Sequence, residues 1–116
     1  MKDINGTLQH KGKEYPLVFN LNVMEQIQAQ YGSVDAWAAL TDGSQRTEPD
    51  AKAVIFGFTC MLNEGIDIRN EETGATEPMM TTKQVGRLLS EYGLAAATAA
   101  MNKTVVDSIQ TEEKNA

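Results

Sequence analysis

The chain has 116 residues, and its ten Lys and Arg against sixteen Asp and Glu give a net charge of −6 at neutral pH. This length fits one domain with a hydrophobic core of its own. Nucleic-acid-binding proteins usually carry a basic stripe, whereas the cations here are scattered, so we expect no binding to DNA or RNA. The longest nearly apolar run, residues 53–62, is too short for a membrane span, which takes about 20 residues.

Two features of the sequence bear on the cellular compartment. The chain contains one cysteine, so it forms no internal disulfide, which agrees with a reducing compartment. The stretch MKDINGTLQHKGK lacks the apolar segment of a secretory signal. Both features predict a cytoplasmic protein.

The first predicted elements are two strands joined by a tight turn. Residues 3–9 and the run YPLVF favour strands, and the polar HKGKE between them carries Gly12. Pro16 has no amide hydrogen to donate to a ladder, so the second strand is expected at a sheet edge or with a bulge. An isolated hairpin is marginal in water, so this one needs a surface to lie on.

A helix is predicted to follow the hairpin. Asn20 or Asn22 can cap it, because a short side-chain oxygen accepts from the free amides of the first turn. Gly32 then supplies the left-handed residue that ends a helix. The apolar stripe that is expected to pack under the hairpin consists of Leu21, Val23, Met24, Ile27 and Tyr31.

The segment VDAWAAL predicts a short second helix, which Ser33 can cap. Its Trp37 is the only tryptophan, and the favoured interpretation is a core anchor, because aromatic rings dominate core burial. The alternative is an exposed tryptophan that binds a partner. Residues 42–50 are polar with Gly and Pro, which predicts a loop, and Pro49 suits the first turn of the next helix.

The third helix, AKAVIFGFTCMLN, is apolar nearly all round. Such a helix is usually central in a bundle, and the alternative is that part of its surface is an interface. Gly57 within it allows close packing with a neighbour. We expect the helix to end at residues 63–65 and the acidic residues 66–78 to form an exposed loop, with a short extended piece at residues 66–68.

Two further helices complete the predicted elements. Thr81 and Gln84 form a capping box, in which two free amides are satisfied reciprocally. The fourth helix ends at Gly93. Its apolar stripe is Val85, Leu88, Leu89 and Tyr92, and the fifth helix, over residues 94–109, places Leu94, Met101, Val105 and Ile109 on one side.

These elements predict an α+β fold that is mostly α-helical, in which an N-terminal β-hairpin packs on a bundle of four to five helices. We expect a single globular domain over residues 1–111 and a flexible C-terminal tail over residues 112–116. The expected core residues are Leu17, Phe19, Met24, Ile27, Tyr31, Trp37, Leu40, Ile55, Phe58, Leu62, Val85, Leu88, Leu89 and Met101.

The residues give no support for an enzyme or for a cofactor. A pair of His10 and Cys60 is formally possible, but Cys60 falls in the apolar helix, where a buried thiol is inert. One Cys and one His are too few for a structural zinc site. The acidic stretches DIRNEE and DGSQRTEPD fail the calcium-loop pattern, and phosphate-binding, nucleophile-elbow and HExxH motifs are absent from the sequence.

Two surfaces are candidates for binding a partner protein. One is the step TEPMMTT, where Met79 and Met80 are adaptable contact residues, although staple contacts ahead of a capped helix explain them equally well. The other is any exposed side of the third helix, which brings in Phe56 and Cys60. We therefore predict partner binding by these four residues, with no metal site.

The order of segments resembles one known family. The stretches GTLQHKGKEYPLVFNLNVMEQIQAQYGSVDAW, EPDAKAVIFGFTCMLNEGIDI and TTKQVGRLLSEYGL are similar to the tail assembly chaperones of long-tailed bacteriophages and their prophage copies. The similar pieces together cover about residues 6–95. Each piece is a packing motif, so the specificity of the resemblance lies in their combined order.

The resemblance implies a function and a set of partners. Members of this family coat the tape measure protein, a long and aggregation-prone helical protein that sets tail length, and recruit tail tube subunits. They act in the cytoplasm of the bacterial host and leave before the virion is complete, and a homo-oligomer is possible. The alternative is a structural head–tail or tail component retained in the virion. Neither interpretation requires a catalytic residue, a nucleic acid or a membrane.

Overall fold

The computed structural model describes residues 5–44 and 47–115. The elements in chain order are β1 (Asn5–His10), β2 (Lys13–Val18), α1 (Leu21–Tyr31), α2 (Val34–Thr41), α3 (Ala51–Thr73), α4 (Thr82–Tyr92) and α5 (Leu94–Asn115). This confirms the predicted mostly helical α+β fold with an N-terminal hairpin and five helices. In the part of the chain that the structure describes, no helix is both long and apolar enough to cross a membrane.

The hairpin is antiparallel, and β1 pairs with β2 over six residue pairs from Asn5 opposite Val18 to His10 opposite Lys13. Its two turn residues, Lys11 and Gly12, have φ angles of 51° and 77°. Positive φ at both positions belongs to the turn type whose twist matches that of the flanking strands. The hairpin packs on α3 and α5, which supply the surface that an isolated hairpin lacks.

The predicted helix caps are confirmed. The side chain of Asn20 accepts from the Val23 amide at the start of α1, and Ser33 does the same for α2. The capping box of α4 is complete, because the Thr81 hydroxyl accepts from the Gln84 amide while the Gln84 side chain accepts from the Thr81 amide. These short-range bonds fix where the helices begin.

Trp37 anchors the core, as predicted. Its side chain is fully buried, and its indole nitrogen donates a 2.9 Å hydrogen bond to the backbone oxygen of Ala53. The ring lies directly against Gly57, where a methyl group would collide with it. The alternative of an exposed, partner-binding tryptophan is therefore wrong, and Gly57 allows the predicted close packing of α2 against α3.

The predicted end of α3 is wrong. The helix continues through residues 63–65 to Thr73 and ends at Gly74, which adopts a left-handed φ of 76°. Gly65 is buried under Pro16 of β2, and an added Cβ would lie 2.8 Å from the Pro16 Cβ. This glycine permits close packing within the helix and does not stop it. Residues 66–73 are thus helical, with no extended piece at residues 66–68 and with Ile66 buried.

Helix α3 begins at Ala51, the first residue of the predicted helical segment. Pro49 lies outside the first turn, because the helix starts at Ala51 with Asp50 at the capping position. The Asp50 side chain makes no capping hydrogen bond.

Three residues assigned to apolar stripes are exposed. Leu21 is 72% exposed because it lies about 160° round α1 from Val23, on the opposite side of the helix. Leu94 is the first residue of α5, and Ile109 lies about 80° round that helix from the buried Met101. The face of α5 that enters the core is built mainly from smaller residues, namely Ala97, Thr98, Thr104 and Val105.

Most of the predicted core is buried. The buried members are Leu17, Phe19, Ile27, Trp37, Phe58, Leu62, Val85, Leu88, Leu89 and Met101, and those only partly buried are Met24, Tyr31, Leu40 and Ile55. Fully buried positions that the prediction of the core missed include Leu8, Val54, Met61 and Ile66. Helix α5 runs past the predicted domain end at residue 111, and the flexibility of residues 112–116 stays a prediction.

Candidate partner-binding groove

An open groove of about 280 Å³ runs along the side of α3 that faces away from the core. Six of its lining residues belong to α3, namely Phe56, Thr59, Cys60, Asn63, Glu64 and Asp67. The other three are Gln26 of α1, Met79 of the loop before α4, and Thr82 at the start of α4. We call this surface the α3 groove.

Helical periodicity explains why these six α3 residues share one surface. At about 100° per residue, positions 56, 59, 60, 63, 64 and 67 form a stripe opposite the buried positions of the same helix. Those buried positions are Ala53, Val54, Gly57, Phe58, Met61, Leu62, Gly65 and Ile66. The helix is therefore central, as predicted, and its outer side forms part of the protein surface.

One end of the α3 groove is apolar, with Phe56 and Cys60, and Met79 adds a third apolar side chain from the loop before α4. Phe56 and Cys60 are half-buried and pack against the edge of the core. The Phe56 ring meets the Tyr31 ring edge to face, with 5.7 Å between ring centroids. Met79 is 46% exposed, so nearly half of its surface is open to a partner.

Two asparagines of α3 hold residues 77–80, the segment that carries Met79, against the helix. The Asn63 amide donates to the Met80 carbonyl oxygen at 2.9 Å, and its oxygen accepts from the Met80 amide at 2.8 Å. Asn70 makes the same pair of bonds to the backbone of Glu77. The two asparagines lie two turns apart, so they fasten residues 77–80 along one side of the helix.

The opposite end of the α3 groove is acidic. Glu64 accepts hydrogen bonds from the side-chain amides of Asn20 at 2.7 Å and Asn22 at 3.0 Å, which fixes the carboxylate between α3 and the start of α1. Asp67 is exposed one turn further along α3. The lining contains no Lys or Arg, so both carboxylates keep their charge uncompensated within the groove.

The structure brings three of the four predicted partner-binding residues together. Phe56, Cys60 and Met79 line the α3 groove, whereas Met80 is partly buried against the core and lies outside the lining. Met80 thus matches the alternative of a packing contact ahead of a capped helix. The role of these residues in binding stays a prediction. The Asn63 and Asn70 bonds were missed, because α3 was expected to end at residues 63–65 and residues 66–78 were expected to form a loop.

His10 and Cys60 have different neighbours in the structure. His10 is the last residue of β1, where its Nε2 lies 3.1 Å from Glu91 and its ring meets Tyr92 edge to face. Burial raises the pKa of the Cys60 thiol to about 11. Near neutral pH the thiol is therefore protonated and a weak nucleophile. Over residues 5–44 and 47–115, no group of three or more His, Cys, Asp or Glu side chains is placed to hold a metal.

Comparisons with known proteins return no relative. No protein-family model, no curated protein and no solved structure matches the chain. The geometry of the α3 groove and the order of the sequence segments are therefore the observations from which a function can be argued.

Proposed function

We propose that the chain is a tail assembly chaperone of a long-tailed bacteriophage or prophage. In this role it binds the tape measure protein in the cytoplasm of the bacterial host, keeps it soluble, helps recruit tail tube subunits and is absent from the mature virion. The observation that carries the proposal is the α3 groove. It offers Phe56, Cys60 and Met79 beside polar side chains on an otherwise acidic domain.

The shape of the groove suits a helical client. The six α3 residues of the lining extend over eleven positions, which correspond to about 16 Å or three turns of helix. Amphipathic helices bind by laying an apolar face into such a groove. The resemblance over residues 6–95 implies a long helical client, and the groove offers a surface on which about three turns of such a helix can lie.

The chemistry of the groove also suits a temporary complex. A chaperone must release its client, so its apolar contact area has to stay small. Here only three of the nine lining residues are apolar, and polar side chains such as Gln26 and Thr82 make up the rest. A net charge of −6 keeps the free protein soluble while it presents this surface.

Co-expression with the tape measure protein of the same tail gene cluster tests the proposal. We expect the tape measure protein to become soluble and to co-purify with the chain. Met79→Asp adds a charge inside the groove and should reduce both readouts. The matched control is Leu21→Asp, which adds the same charge at a 72% exposed apolar residue outside the lining and should leave both unchanged.

An insoluble tape measure protein in the presence of the wild-type chain would contradict the proposal. Mass spectrometry of purified particles adds an independent test. A chaperone should be absent from them, and its presence at a fixed copy number would instead identify a structural component of the tail or of the head–tail connection.

A further inference from the structure

The α3 groove has a polarity along its length. Phe56 and Cys60 make one end apolar, whereas Glu64 and Asp67 make the other end acidic. Glu71 is exposed one turn beyond Asp67 on the same side of α3 and extends the acidic end. The distance along the helix from Phe56 to Asp67 is about 16 Å. An occupant therefore meets apolar and anionic chemistry at different points of its length.

The negative charge at the acidic end is not neutralised within the protein. The side chain of Asp67 makes no hydrogen bond or ion pair with any residue in the described part of the chain. Glu64 is held by two neutral amides, which leave its charge in place. The cation nearest in sequence, Arg69, pairs instead with Glu77 at 3.2 Å. A partner that brings a positive charge to this end therefore meets no competing cation.

We propose that the α3 groove binds an amphipathic helix that carries Lys or Arg about two turns from its apolar anchor. The anchor lies against Phe56 and Cys60, and the cation lies beside Glu64 and Asp67. This rests on the proposed chaperone function and specifies which segments of a helical client are held. Segments that carry Glu or Asp at the same spacing are rejected by like charge.

Two designed helical peptides of about 18 residues, or five turns, test the charge rule. They share the same pair of leucine anchors and differ only in carrying two Lys or two Glu residues two turns from the anchors. We expect the Lys peptide to bind about fivefold to tenfold more tightly at low salt, since each exposed ion pair is worth up to about a factor of five. The preference should shrink as salt rises, because exposed charges are screened.

Two variants test whether Asp67 is responsible for the preference for the Lys peptide. Asp67→Asn should remove most of the preference for the Lys peptide. Glu72→Gln, which makes the same charge change at an exposed residue about 140° round α3 from Asp67, should leave the preference intact. Methyl NMR of the methionines reports the site directly, even for weak binding. The exposed Met79 signal should shift on peptide addition, and that of the fully buried Met61 should stay in place.

Equal binding of the two peptides, binding of neither, or an unchanged preference in Asp67→Asn would each overturn the charge rule. So would a Met79 signal that does not move. These outcomes are separate from the co-expression result. A tape measure protein that becomes soluble while the peptides fail to discriminate would leave the chaperone proposal standing and remove this inference.

Discussion

The two sides of α3 are built on different principles. The inner side is buried, and its packing depends on shape complementarity, because Trp37 lies against Gly57 and Pro16 lies against Gly65. The outer side is half-exposed and depends on hydrogen bonds, with Asn63 holding the backbone of the loop that carries Met79. The comparison shows how one helix can be central to a small core and still present a binding surface.

The difference explains the apolar pattern of α3. A helix that only covers a core has a polar outer side. Here Phe56 and Cys60 keep apolar chemistry on the outer side, where they form the floor of the α3 groove. Substitutions on the two sides should therefore have different effects. On the inner side they should lower the stability of the fold, and on the outer side they should change the position of the loop or the reactivity of Cys60.

The largest loss of stability is expected on the inner side of α3, where the packing depends on shape complementarity. Gly57→Ala places a methyl group against atoms of the fully buried Trp37 ring, so the ring or the helix must shift. Overpacking of this kind typically costs about 1–3 kcal/mol, which exceeds the gain of about 1 kcal/mol from the better helix propensity of alanine. We expect a net loss in the free energy of unfolding, measured by chemical denaturation.

Gly86→Ala in α4 is the matched control. Its added Cβ would lie 3.5 Å from the Ile55 Cδ1 atom, which is an ordinary contact, and the position is helical. The propensity gain should therefore remain, and the variant should be stabilised by up to about 1 kcal/mol. If Gly57→Ala were stabilised as much as Gly86→Ala, the close packing of Trp37 on Gly57 would not determine the stability of the inner side.

A smaller loss of stability is expected when the hydrogen bonds on the outer side of α3 are removed. Asn63→Ala leaves the Met80 amide and carbonyl without their side-chain partners, at a cost of about 1–2 kcal/mol. Amide hydrogen exchange of Met80 should become faster, because the loop is released from α3. Asn63→Asp keeps the acceptor for the Met80 amide and loses only the donor, so its exchange rate should fall between those of wild type and Asn63→Ala. Unchanged exchange in Asn63→Ala would show that other contacts hold the loop.

The sequence predicts the elements whose signals are local. The hairpin turn at Lys11 and Gly12, the cap at Asn20 and the capping box at Thr81 depend on residues a few positions apart, and the structure confirms each. The length of α3 was missed because Gly65 was taken as a stop. Gly65 instead allows close packing against Pro16, which lies 49 positions away in the chain. A local sequence pattern does not reveal this contact.

The candidate site was predicted in part for the same reason. The apolar character of Phe56, Cys60 and Met79 is visible in the sequence, and the groove that joins them is not. That groove depends on α3 continuing past residue 65, because Asp67 and Asn70 acquire their positions only from the helix. Met80 differs from its neighbour Met79 because Asn63 holds its backbone, a contact across 17 positions.

A different kind of effect concerns the reactivity of Cys60 on the outer side. Burial raises the pKa of its thiol from 9.0 to about 11, so the folded protein keeps this proton after the unfolded chain has lost it. Stability should therefore fall as pH rises from about 9 to about 11, and Cys60→Ala should lack this contribution.

Alkylation by iodoacetamide gives a direct measurement, since Cys60 is the only thiol in the chain. At pH 8 the folded protein should react about 100-fold more slowly than the urea-unfolded chain, because its pKa is two units higher and only the thiolate reacts. The rate in the folded protein should continue to rise up to about pH 11, and a plateau near pH 9 would contradict the burial of this thiol. Adding the Lys peptide should slow the reaction further, because the apolar anchor of the peptide covers Cys60 in the α3 groove.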